Sequence, residues 1–358
     1  MKKVLCAAAI AALLATSCGG EQTTISEGNS SKLDSLSYAL GANIAFSLQQ
    51  QLGDVPFDYA AVNKALTEAA LEKTDLTQEQ ATEVLRDYFM NKRPARAEAI
   101  AVERDKADST ALANGADTAA VFAARMAMKA DAAMFESEAE REDVSIAFGI
   151  DLGTNLRNAD LPLQTYWVTS ALSDVNDGNP KMSSDAAMAY LQEYFTVTLP
   201  AERAETSVAN LAKIEKQSGV VKTESGLLYR IEEAGEQGTN ATSDEDTVKV
   251  NYTGKLLRNG EVFDSSRFAD KSAEEQAYIV AQGGEAADSP IEFPLNRVIP
   301  GWTEGMKLVG KGGRISLWIP AELAYGSRGA GQNIGPNEAL FFDVELVDVT
   351  PAGEAQAE

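Results

Sequence analysis

Between Gly254 and Tyr325 the chain sets a carboxylate and a phenol among large apolar side chains: Phe263-Asp264-Ser265-Ser266, then Val298-Ile299-Pro300-Gly301-Trp302, then Ala324-Tyr325-Gly326. Phe263, Ile299, Trp302 and Tyr325 come from well-separated segments, and a Gly-rich run follows at Gly326, Gly329, Gly331 and Gly335. Residues of these types suit a greasy ring held in an apolar pocket, rather than a phosphate or a metal ion. The remaining inventory narrows the chemistry. The chain has no histidine and only two cysteines, which removes the Ser-His-Asp triad, the Cys-His dyad, histidine metal ligands and the imidazole pH switch. Acid–base work would fall to carboxylates, lysines or tyrosines, so a reaction that moves no proton fits better.

Such side chains need a sheet to bring them together. From Ser225-Gly226 the pattern takes a period of two: Val248, Val250 and Tyr252 alternate with Lys249, Asn251 and Thr253. Ile315, Leu317 and Ile319 repeat it, as do Phe342, Val344 and Leu346 against Phe341, Asp343 and Glu345. Half-buried antiparallel strands follow from that alternation. Pro300 to Met306 reads as one short amphipathic helix, since proline is tolerated only in a first turn; Ile299, Trp302 and Met306 can face the sheet. The expected domain is α+β, one twisted sheet wrapped on one helix.

Ahead of it lies a helical region that occurs twice. Leu36-Ser37-Tyr38-Ala39-Leu40-Gly41 is echoed by Val144-Ser145-Ile146-Ala147-Phe148-Gly149, and the Tyr88-Phe89 pair by Tyr194-Phe195. Each copy is followed by a proline and a helix-forming run, at Pro94 and Pro200. A unit of roughly 100 residues points to a duplicated small domain, not to a solenoid of short repeats. Tyr38, Ala42 and Phe46 mark one helical stripe. Tyr59 to Leu71 and Gln164 to Val175 read as second helices, and Thr77 and Ser183 as N-caps of third helices. Ala95 to Glu140 predicts one or two long exposed helices, with Met126, Met128 and Met134 as a helix-packing surface.

Composition bounds the rest. With 358 residues, 44% hydrophobic and 24% charged, the chain is long enough for two or three globular domains. A formal charge of −23 argues against nucleic acid, which is bound through Lys and Arg, and reads as solubility. Lys2 and Lys3, the apolar run Val4 to Ala15 and Ala15-Thr16-Ser17-Cys18 make a targeting segment. It resembles a bacterial lipoprotein signal, with Leu14 one place before the usual leucine; cleavage would leave Cys18 to be acylated. The alternative is a plain secretory signal with a coincidental cysteine. Residues 19–31 are polar and read as a tether.

Val250-Asn251-Tyr252-Thr253-Gly254, Val262-Phe263-Asp264-Ser265-Ser266, Val298-Ile299-Pro300-Gly301-Trp302, Ala324-Tyr325-Gly326 and Leu340-Phe341-Phe342-Asp343-Val344-Glu345-Leu346 stand in order. That series resembles the FKBP-type peptidyl-prolyl isomerase domain. The repeats resemble the helical amino-terminal domain of the macrophage-infectivity-potentiator type of bacterial FKBP, which in that family mediates dimerisation through intertwined helices. The implied organisation is a signal at 1–17, a tether at 18–31, helical units at 32–141 and 142–220, an FKBP domain at 221–351 and a tail at 352–358. The resemblance implies a prolyl isomerase without cofactor or metal, acting on proline-containing protein clients as an envelope lipoprotein, the lipid being its only membrane attachment. Catalytic roles would fall to Asp264, Tyr325, Ile299 and Phe263. Tyr252, Val298, Trp302, Ile334 and Phe342 would complete the prolyl pocket. Tyr325 and the Ile299 N–H would donate to substrate carbonyls, and Asp264 would orient dipoles while bonded to Tyr252. Two departures stand out: Ile291 where an aromatic wall is usual, and Ala330 where animal members often have histidine. Residues 268–289 form an insertion read as a surface loop first, a lid or client surface second. The helical units imply a homodimer or an internal pseudo-dimer, and leave open a proline-binding chaperone or an oligomerisation scaffold.

Overall fold

The computed structural model describes residues 32–53, 55–121, 135–159, 161–284, 286–331 and 333–353. The signal, Cys18, the tether and the Met126, Met128 and Met134 cluster lie outside those residues. Two compact units are present, one ending at Tyr194 and the other running from Phe195. No described helix is long and apolar enough to cross a membrane.

The first unit holds helices α1 (Lys32–Leu52), α2 (Tyr59–Ala70), α3 (Gln78–Asp87), α4 (Arg93–Ala113), α5 (Glu138–Asn158), α6 (Thr165–Asn176) and α7 (Ser184–Glu193). Starts are set by caps. The Thr77 hydroxyl accepts from Gln80 N while the Gln80 side chain accepts from Thr77 N, a capping box, and Ser183 accepts from Ala186 N. A π-turn follows α3 at Tyr88–Lys92 and α7 at Tyr194–Thr198, so even this irregularity recurs in register.

The two copies do not fold side by side. Helix α1 of the first copy packs on α6 and α7 of the second, and α5 of the second packs on α2 and α3 of the first. Each first helix is thereby enclosed, not striped: Leu36 through Ala45 are all buried, and so is most of Val144 to Leu156. The single stripe read from Tyr38, Ala42 and Phe46 understates this. The crossings are tight and reciprocal. A Cβ on Gly41 would stand 2.4 Å from the Val168 carbonyl oxygen, and one on Gly149 2.4 Å from that of Val62, so only glycine lets these backbones touch. Ser37 Oγ accepts from Gln164 N at 2.9 Å, and Ser145 Oγ accepts from Asp58 N at 2.9 Å. Phe57 stacks on Phe148 across the same boundary at 4.9 Å.

Other contacts are not reciprocal. The Tyr38 hydroxyl donates to Asp174 Oδ2 (2.9 Å) and accepts from Lys181 N (2.8 Å), where the second copy has Ile146. Gln78 Nε2 reaches Asp151 and Asn155 at 3.2 and 3.3 Å.

The second unit opens with α8 (Leu199–Ile214) and continues into a sheet of β1 (Val221–Lys222), β2 (Leu228–Glu233), β3 (Thr247–Leu256), β4 (Val262–Ser265), β5 (Ile291–Pro294), β6 (Arg314–Ile319) and β7 (Leu340–Thr350). The order is β1-β2-β6-β7-β3-β4, with β5 also on β3, and every pairing is antiparallel. The short helix α10 (Pro300–Gly305), which follows the insertion helix α9 (Ala273–Ala281), packs across the sheet on β6. Proline sits in its first turn. Buried Val248, Val250, Ile315, Leu317, Val344, Leu346, Trp302 and Met306 form one core between them.

The strict alternation expected of β3 fails at Asn251 and Thr253, both under a tenth exposed. The segment after β4 covers Thr253, where Asp270 Oδ2 accepts from Thr253 and Ser265 at 2.5 and 2.7 Å, and Asn251 Nδ2 donates to Glu345 at 3.3 Å. The insertion is also more ordered than a loop. Ser272 and Glu275 form a capping box for α9, and Phe268 N donates to Asp288 at 3.0 Å to tie its two ends. Tyr278 and Val280 of α9 face solvent.

Candidate active site

The site is built on the inner face of β3 and β7. Tyr252 and Phe342 stand there, buried, with ring centroids 6.3 Å apart. Helix α10 delivers Trp302 between them, edge-on to Tyr252 at 5.3 Å and to Phe342 at 5.2 Å. These edge-to-face contacts set positive ring edges against negative faces and lock the rotamers of all three. Phe263 arrives from β4 and meets Phe342 at 5.6 Å. Gly254 makes that meeting possible: a Cβ there would lie 2.8 Å from both rings. Ile334 closes the cluster and is buried; Val298 and Ile299, at the entrance to α10, pack on it half-buried.

Polar groups gather at the rim. The Tyr252 hydroxyl donates to Asp264 Oδ2 at 2.5 Å, the short end of a charge-assisted bond. Burial, then the bond to Asp264, pushes the Tyr252 phenol well above its ordinary value. Burial and the nearby Asp264 charge raise Tyr325 as well. Both phenols therefore stay protonated, as donors, throughout the neutral range. Tyr325 is 39% exposed and its hydroxyl can turn toward a guest. Ile299 caps α10; its carbonyl accepts from the Trp302 and Thr303 amides, and its own N–H has no hydrogen-bond partner among the described residues. The arrangement is a water-poor aromatic floor with donors and one carboxylate at its edge.

Tyr252, Phe263, Asp264, Val298, Ile299, Trp302, Tyr325, Ile334 and Phe342 thus assemble around one cluster. Phe293 joins them although the sequence reading left it out. It lies 5.8 Å from Trp302 and 6.1 Å from Tyr252. Ile291, the position noted for lacking an aromatic, is 37% exposed at the sheet edge. Phe293 is two places on in β5 and hence on the same face; that period-two relation was the available signal. A separate open groove of about 710 Å³ is lined by Asp244, Leu295, Asn296, Pro300, Thr303 and Lys307, and shares only Val298 with the aromatic cluster.

Comparison with known proteins gives a consistent result. The profile described as FKBP-type peptidyl-prolyl cis-trans isomerase matches residues 238–347. That of the domain amino terminal to FKBP-type peptidyl-prolyl isomerase matches twice, at 33–132 and 141–231. The probable isomerase FkpA of Neisseria meningitidis serogroup B is 37% identical over 232 residues, 60% of this chain and 77% of that protein. The outer membrane protein MIP of Legionella longbeachae is 32% identical over 248 residues, 65% and 97% respectively. FkpA of Escherichia coli K12 is 44% identical over 145 residues, 40% of this chain and 46% of that protein. Its crystal structure aligns with 61% of this chain and 99% of that one, at 31% identity and a TM-score of 0.41.

Proposed function

The chain belongs to the FKBP-type peptidyl-prolyl cis-trans isomerases of the FkpA and Mip kind, and we propose that it speeds rotation of X-Pro peptide bonds in exported or envelope proteins as they fold. The amide resists rotation by roughly 18–20 kcal/mol because twisting destroys resonance. A catalyst needs only to favour the twisted state over both planar ones. Trp302, with Tyr252, Phe263 and Phe342 around it, takes the prolyl ring and strips water from the amide, which disfavours the dipolar planar form. Asp264, held in place by Tyr252, orients dipoles beside the twisting carbonyl. The Tyr325 hydroxyl and the Ile299 N–H donate to flanking carbonyls. No bond to hydrogen is made or broken in the protein.

The observation that carries this reading is the short Tyr252–Asp264 bond at the lip of the aromatic floor. A protease-coupled assay on an X-Pro peptide tests it. Asp264→Ala is expected to lower kcat/KM by about a hundredfold, as loss of one preorganised electrostatic group does elsewhere. A variant as fast as wild type overturns the assignment.

For the helical unit, we read the two copies as an internal pseudo-dimer, so that the chain is a monomer. Support comes from the reciprocal packing of α1 on α6 and α7 and of α5 on α2 and α3. Light scattering of the unlipidated chain is expected to return the mass of one chain; twice that mass contradicts it. A tether through Cys18 would place the enzyme on an envelope membrane; the lipoprotein-like sequence around Cys18 supports this.

A further inference from the structure

Helix α8 falls within the second match to the amino-terminal domain, at 141–231, yet one of its faces is committed to the catalytic fold. Pro200, Arg203, Ser207 and Asn210 are spaced three, four and three residues apart and so form a single stripe. Every one of them meets the sheet domain. The Pro200 carbonyl accepts from Asn337 Nδ2 at 3.1 Å. Arg203 pairs with Glu338 at 3.2 Å. Ser207 Oγ donates to the Asn337 carbonyl at 2.8 Å and accepts from Ala339 N at 2.9 Å. Asn210 Nδ2 reaches the Leu257 carbonyl at 3.4 Å.

What this stripe grips is the return limb of the chain that carries Tyr325 and Ile334. Asn337 N donates to the Gly326 carbonyl at 2.9 Å, next to Tyr325, and Ala330 and Ile334 exchange backbone bonds at 2.8 and 3.1 Å. Asn337 itself has φ of 59°, a left-handed conformation that a non-glycine residue keeps only when its surroundings hold it. The hydrogen bonds from Ser207 and to Pro200 do that. At Gly335 the fit is closer still: a Cβ would stand 1.6 Å from Arg203 Nη1. The guanidinium occupies the space of the missing side chain, so this glycine is a seat rather than a hinge. Glu338 is buried to 1% between Arg203 and Arg258, whose Nε is 2.8 Å away. A carboxylate so placed requires its cations.

We propose that α8 is a positioning strut of the isomerase site, with Arg203 and Ser207 setting where Tyr325 and Ile334 stand. Neither residue touches the prolyl ring; both act through the limb from Gly335 to Ala339. The inference rests on the aromatic pocket being the isomerase site, and the experiment separates the two. In the full chain, Ser207→Ala and Arg203→Ala are assayed on an X-Pro peptide, beside Asp264→Ala, at a temperature where melting curves show each variant folded. Each strut variant is expected to lose about tenfold or more in kcat/KM, the cost of misplacing a site by a fraction of an ångström to one ångström. Gly335→Ala, which forces a methyl into the guanidinium, should lose a similar factor. Arg203→Ala/Gly335→Ala should be no slower than Arg203→Ala alone. Arg203→Lys, which keeps the charge on Glu338 without the planar fork, should recover stability but not rate. Rates within about threefold of wild type for both strut variants, or additive losses in the double variant, overturn the strut. If Asp264→Ala is also without effect, the site assignment falls with it; if Asp264→Ala is slow, only the strut falls.

Discussion

In the helical unit, Ser37 and Ser145, Gly41 and Gly149, and Thr77 and Ser183 each perform one task twice, at matching places in two copies. In the catalytic unit Tyr252, Asp264, Trp302 and Phe342 occur once each around a single cup. Polar groups follow the same division. Ser37 and Ser145 of the helical unit are spent inside, between the copies, whereas Thr77 and Ser183 cap helices at the surface. The Tyr252–Asp264 pair instead sits at a rim, with Asp264 exposed. Duplicated contacts hold the two copies together; the single, half-exposed set is the place that the proposed function gives to a prolyl guest.

The non-reciprocal contacts sharpen this contrast. Tyr38 on Asp174 and Lys181, and Gln78 on Asp151 and Asn155, have no counterpart if a copy pairs with its own kind: Asp174 would then meet Ile146 in place of Tyr38. The Tyr38 bonds favour unlike copies over like ones by about 0.5–1.5 kcal/mol each, while Asp174 keeps Lys181 Nζ of its own copy at 2.9 Å in either pairing.

The most severe change to the helical unit is steric. Gly41→Leu and Gly149→Leu drive a side chain into a backbone carbonyl 2.4 Å from the Cβ position, and each should destabilise the helical unit by about 3 kcal/mol or more. Calorimetry should show the helical transition falling while isomerase activity per folded molecule is kept. Loss of one glycine but not the other would mean the copies are not equivalent. A smaller, matched pair of losses is expected at the serines. Ser37→Ala and Ser145→Ala each remove a buried acceptor from a part-buried backbone N–H, of Gln164 or Asp58, at about 0.5–1.5 kcal/mol; denaturant titration should find the two close to equal.

Much of the catalytic unit was legible in sequence because its strands alternate and its helix starts at a proline. Side chains that point alternately to one face reveal that face, and Tyr252, Phe342 and Trp302 declare theirs. The cap residues Thr77 and Ser183 were legible for a similar reason, since a cap acts within three residues. What escaped depends on distant partners. A helical stripe reports that a face is buried, not which copy buries it, so the exchange of α1 and α5 between copies could not be read from Tyr38, Ala42 and Phe46. Gly335 looks like its neighbours Gly326 and Gly331, which do have positive φ; only the arrival of Arg203 from 132 positions earlier in the chain distinguishes it. The place of α8 depends on distant partners too: its contacts put it in the compact unit that begins at Phe195, while the amino-terminal family match runs across it to residue 231. In the insertion, Ser272 and Glu275 had already spelled a capping box, and α9 follows from it.

In the proposed mechanism a dry aromatic cup, its phenols protonated across the neutral range, turns the prolyl bond without proton transfer. Burial holds the Tyr252 and Tyr325 values above the ordinary one, so any stability they lend is complete below pH about 10 and is lost only as pH rises through their folded values. The most direct test is kcat/KM on an X-Pro peptide across pH, at constant ionic strength. The expected result is a flat profile from pH about 6 to about 9, between the ordinary carboxylate and tyrosine ranges. A bell or a single limb inside that window would reveal an essential titrating acid or base, and would contradict catalysis by burial and fixed dipoles alone.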